Sequence, residues 1–174
     1  MDIPEPDQGI SSTRLLDFIA AAFPLRPLPQ MSLHQAQLAD QSMSREITDE
    51  EWRRAGELDR GRSWNEFSDD DLIACDAALS HLDEQSFVYY LPAYLLFALR
   101  YCTVEWQHPA WTLIGSVVFS VTHRTPDQRE AVIAFLRFVA KCRTDSIASN
   151  AQKALARYWL TDEATKPLII LPNG

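Results

Sequence analysis

"DEQSFVYYLPAYLLFALRYC", residues 83–102, sets a proline inside a run with helical spacing, and the fold turns on how that run is read. Phe87, Leu91, Leu95, Ala98 and Cys102 recur every three or four residues, which places them on one helix face. Asp83 follows Ser80, His81 and Leu82 and is positioned to cap that helix. Pro92 lacks an N–H and clashes with the carbonyl of Val88, so the helix is expected to kink there or to restart with Pro92 as its first residue. An exposed interior proline costs about 3 kcal/mol, so packing must compensate, and the kinked helix belongs at the centre of the core. Tyr89, Tyr90 and Tyr94 project on different faces, and at least one hydroxyl is expected to reach the surface or a polar pocket.

Helical signals flank this centre on both sides. Leu15, Leu16, Ile19, Ala20 and Phe23 form a helix that Ser11 or Ser12 can cap and that "PLRPLP" (24–29) ends. The P-x-x-P form of that run reads as a rigid connector rather than a docking motif. Residues 31–44 make a helix with Leu33, Ala36 and Leu38 inward. Thr48 with Glu51 has the form of a capping box for a helix running to about Leu58. Ser68 caps a further helix whose inward face is Leu72, Ile73, Cys75, Ala78 and Leu79. Thr125, Pro126, Asp127 and Gln128 open the clearest helix, with Val132, Ile133, Phe135, Leu136, Val139 and Ala140 as its buried stripe. A last helix spans about 146–160. Residues 116–122 and 167–171 are β-branched and aliphatic, and could pair as one small β element. The expectation is a mainly α protein: a loose arm over 1–10, then one compact multi-helix domain over 11–174.

Composition narrows the function. Sixteen basic against twenty-four acidic residues give a net charge of −8, a field that repels a phosphate backbone, so no nucleic acid is expected as partner. Residues 40–84 hold fourteen acids and five arginines, whereas residues 124–157 hold seven bases and three acids. No apolar run approaches the ~18 residues of a membrane span, so no membrane partner is expected. The acidic, proline-bearing start has no leader pattern, and with three scattered cysteines the chain reads as cytoplasmic with buried, reduced thiols.

Chemical motifs are sparse. His34, His81, His108 and His123 are too far apart for a metal-binding pattern, and Asp69, Asp70 and Asp71 read as first-turn charges of a helix rather than a calcium loop. Neither a glycine-rich phosphate cradle nor a nucleophile elbow is present, so no catalytic residue, metal or cofactor is expected. Two functional readings follow. In the first, an acidic face including Glu50, Glu51, Asp69, Asp70 and Asp71 meets a basic protein partner, in a regulatory or toxin-neutralising role. In the second, Tyr89, Tyr90, Pro92, Tyr94, Trp106, His108 and Trp111 line an aromatic pocket for a small molecule, with His108 as a general base.

"YYLPAYL" (89–95) joined to "TPDQREAVIAFL" (125–136), with Trp64 and Glu66 before the acidic helix and "AAF" (21–23) before the prolines, resembles an uncharacterised bacterial family, a domain of unknown function. The resemblance covers most of residues 14–160. It implies the helical fold and carries no catalytic assignment.

Overall fold

The computed structural model describes residues 12–102 and 125–160. Seven helices make up the described architecture: α1 Ser12–Ala22, α2 Leu33–Gln41, α3 Asp49–Leu58, α4 Asp69–Ala74, α5 Glu84–Arg100, α6 Pro126–Cys142 and α7 Ser146–Ala154. Two 3₁₀ turns, Trp64–Glu66 and Ala78–Ser80, and one π turn, Leu155–Trp159, join them. No strand occurs among the described residues. The pairing expected between 116–122 and 167–171 lies outside them.

Local chemistry starts these helices where the residue types dictate. Ser32, Thr48, Ser68 and Thr125 each accept a hydrogen bond from the backbone N–H three residues on, and in each case that residue's side chain reaches back to the cap. Asp83 accepts from the Ser86 N–H at 2.9 Å and opens α5 as expected. Such caps satisfy amides that the helix leaves without partners. Thr125→Ala is therefore expected to lower stability by about 1 kcal/mol, seen as a thermal midpoint lower by roughly 2–4 °C, while Thr125→Ser leaves the midpoint almost unchanged.

Helix α5 is the apolar centre. It runs as one helix through Pro92, so of the two alternatives the restart is excluded. Leu91, Leu95, Phe97 and Ala98 are wholly buried, and Pro92 is buried with them. Helix α1 packs on both α5 and α6, α6 packs on α7, and α2 bridges α3 and the 78–80 turn. Leu15, Ile19, Leu33, Phe135 and Leu136 complete the core from those neighbours.

Three expectations need correcting. Helix α4 ends at Ala74 and Cys75 caps it, so the buried stripe is Leu72, Cys75 and Leu79, while Ile73, a quarter turn away, is 38% exposed. Ala20 is likewise exposed on α1. All three cysteines are free, but only Cys75 is buried; Cys102 is half-buried and Cys142 exposed.

Charge follows this layout. Residues 40–84, the strongly acidic stretch, build α3, α4 and the turns around them. Residues 125–157, six bases against three acids, build α6 and α7. In packing, α3 lies against α2 and α4 against α5, while α6 lies against α1 and α7 against α6.

Candidate functional site: a buried imidazole–carboxylate pair

Two residues stand at the wrong helix ends for their charge. His34 sits in the first turn of α2, where the helix dipole disfavours a cation. Asp59 caps the C-terminus of α3, where the dipole disfavours an anion. The fold brings them together. The His34 Nδ1 lies 2.6 Å from Asp59 Oδ1, and the His34 backbone N–H donates to Asp59 Oδ2 at 2.9 Å. Burial leaves the Asp59 side chain 2% exposed against 21% for His34. The bond to Asp59, and then the Cys75 thiol beside the ring, raise the imidazole from its ordinary value to about 10. His34 is thus an imidazolium at neutral pH, and its Nδ1–H donates to the carboxylate.

The pair extends into a line of alternating charge. Gly61, at φ 74°, turns the chain so that Arg62 comes back towards Asp59, with Nη1 4.0 Å from Oδ1. The same guanidinium binds Asp71 at 2.7 Å and lies 4.1 Å over the Phe67 ring. Arg62, helped by Ser68, holds the Asp71 carboxyl down at about 2. His34, Asp59, Arg62 and Asp71 so join the start of α2, the end of α3 and the start of α4. Tyr94 adds α5, its hydroxyl donating to the Cys75 carbonyl at 2.8 Å.

Imidazole, carboxylate and thiol are the groups of a nucleophilic triad. Here Cys75 is 0% exposed, which withholds its sulfur from any substrate in this conformation. As it stands, the arrangement pins three chain segments together.

Of the aromatic pocket residues expected from the sequence, Tyr89, Tyr90 and Tyr94 are buried on α5 together with Pro92. Tyr89 and Tyr90 meet edge to face at 5.1 Å, and Tyr90 meets Phe67 in the same way at 5.6 Å. The Tyr89 hydroxyl finds internal partners rather than the surface. Tyr89 donates to the Leu25 carbonyl at 2.9 Å and accepts from the Trp64 N–H. Tyr90 and Tyr94 lie one turn apart on a shared face. Trp106, His108 and Trp111 lie outside the described residues.

The acidic residues divide sharply. Glu50 pairs with Arg53 at 2.8 Å, and Glu51 pairs with Arg45 at 2.9 Å while completing the Thr48 cap. Asp69 pairs with Arg100 and accepts from the Tyr101 hydroxyl at 2.6 Å. Asp71 belongs to Arg62. Asp70 alone of the five is exposed with no hydrogen bond or ion pair among the described residues, a state that Asp49 and Asp76 share. No group of three potential metal ligands occurs among the described residues, and no described helix is long and apolar enough to cross a membrane.

The family of unknown function DUF6714 matches residues 11–163, and the chain belongs to it. No curated protein and no solved structure matches the chain.

Proposed function

We propose that this domain is a cytoplasmic protein-interaction module that presents its acidic side to a basic protein partner. The observation that carries this reading is the uneven charge of the packed elements: α3 and α4, set against α2 and α5, come from the acidic stretch, whereas α6 and α7, packed on each other, come from the basic one. Separated charge steers encounter and selects the partner's sign, since like-charged surfaces repel. Carboxylates already paired with arginines contribute little to such a surface, so the exposed Asp49, Asp70 and Asp76 are the recognition groups. Net charge disfavours nucleic acid as the partner.

The test is co-purification of the tagged chain from lysate of its source cells at low and high salt. The wild type is expected to retain a basic protein at low salt and to lose it at high salt. Asp49→Lys/Asp70→Lys/Asp76→Lys is expected to reduce that retention by about tenfold or more while keeping the helical signal. Equal retention of the same protein by the triple variant would sink the proposal.

A further inference from the structure

The first turn of α3 carries an indole and a carboxylate that the rest of the described fold leaves unused. Asp49 and Trp52 lie three residues apart in that helix, so they are neighbours on one face. A helical side chain also leans back over the turn before it, which brings the Trp52 ring towards Asp49. The backbone there is fixed by the Thr48 cap, and the Trp52 carbonyl accepts from Gln35 Nε2 at 3.2 Å, which ties the turn to α2. Trp52 is nevertheless 36% exposed, whereas Trp64 and Trp159 are 3% and 2% exposed. Among the described residues no ring or cation lies on the Trp52 indole, and no hydrogen bond or ion pair reaches the exposed Asp49 carboxylate. The nearby cations are engaged elsewhere. Arg53, four residues on from Asp49, binds Glu50 at 2.8 Å and Glu57 at 3.0 Å, and Arg45 binds Glu51 at 2.9 Å.

We propose that Asp49 and Trp52 form a clamp for an arginine side chain of a basic protein partner, with the guanidinium over the indole face and its N–H groups donating to the Asp49 carboxylate. This assignment rests on the acidic-face reading above and names the groups that anchor the partner. Arginine suits both halves of the clamp. Its guanidinium is planar and stacks on an aromatic face, and its fork of donors matches a carboxylate. The fold uses the same combination internally, where Arg62 lies 4.1 Å over the Phe67 ring and binds Asp71 at 2.7 Å. In α3 the ring and the carboxylate occur without an arginine of the chain itself among the described residues. Charge complementarity selects the occupant, because residues 40–84 hold fourteen acids against five arginines and draw a cation towards this face. A tryptophan that becomes covered on binding is the residue type that most often dominates an interface. Both groups stand on one capped helix, so little ordering is needed when the arginine arrives.

The test titrates the isotope-labelled full chain at low salt with a hexa-arginine peptide blocked at both ends, and follows amide and indole N–H resonances. The Trp52 indole signal, identified by its loss in Trp52→Phe, is expected to move saturably together with the Asp49 amide. Trp52→Leu should weaken binding about fivefold. Asp49→Asn should weaken it about threefold and make it less sensitive to salt, and because it alters only an exposed side chain, loss of the fold does not enter. Hexalysine should bind several-fold more weakly than hexa-arginine. Shifts that gather at Asp70 and Asp76 and spare Trp52 would overturn the clamp while leaving the acidic-face reading standing. No saturable shift at any residue would overturn both. Equal binding of the two peptides would also overturn the clamp, since a point charge would then suffice.

Discussion

Asp59→Ala is expected to cost about 3–5 kcal/mol, because it leaves a partly buried imidazolium facing a site built for a carboxylate. The His34 backbone N–H loses its acceptor in the same step, and Arg62 keeps Asp71 as its remaining carboxylate partner. Urea denaturation at pH 7 reads the loss directly. If His34 and Asp59 act as a pair, Asp59→Ala combined with His34→Ala will cost clearly less than the sum of the single changes. A simple sum would show that each residue stabilises the fold through other partners. The pH dependence has a definite sign. The folded value of His34, about 10, lies above its ordinary 6.5, so its contribution is fully present below about pH 6.5. It declines as pH rises and is gone once pH passes through about 10. Stability of the wild type should therefore fall between pH 7 and 10.5 more steeply than that of His34→Gln. Parallel curves would mean that the imidazole is not held as the cation.

Helix positions were legible because they depend on local chemistry. Thr48, Ser68, Asp83 and Thr125 announce their helices with short-range side-chain bonds, and each one starts where its residue type predicts. The charge pair was not legible, since His34 and Asp59 are twenty-five positions apart and no spacing rule joins them. A trace existed nonetheless in the misplaced charges, a histidine opening one helix and an aspartate closing the next against the dipole. The acidic face fared between these limits. Arg53 with Glu50 and Glu57 lies at helical spacing and could be read as locally neutralised, whereas the pairing of Asp69 with Arg100 depends on the docking of α4 against α5. For the cysteines, an apolar sequence context predicted burial of all three, yet only Cys75 is buried; all three sit at or just past helix ends, where periodicity no longer decides exposure.

The largest effect is expected at Tyr94. Its ring is 1% exposed in the middle of α5, and its hydroxyl bridges to the backbone that ends α4. Tyr94→Ala removes a buried aromatic ring, at about 3–5 kcal/mol, and also strips the Cys75 carbonyl of a donor, adding about 1–2 kcal/mol. A domain of this size is stable by roughly 5–15 kcal/mol, so this one change should leave the fold marginal at 25 °C. Tyr94→Phe separates the two contributions. It keeps the ring and deletes only the hydroxyl, so a loss of about 1–2 kcal/mol is expected. Burial has raised the Tyr94 phenol well above its ordinary value, so it remains a donor across the pH range in which His34 titrates. The deficit of Tyr94→Phe should consequently stay constant from pH 7 to 10.5 while the wild type loses the His34 contribution. Both sites meet at Cys75, the imidazole beside its thiol and the phenol on its carbonyl. If the Tyr94→Phe deficit instead shrank in step with His34 deprotonation, the two contacts on Cys75 would be one coupled network, not two independent ties between α5 and the segments below it.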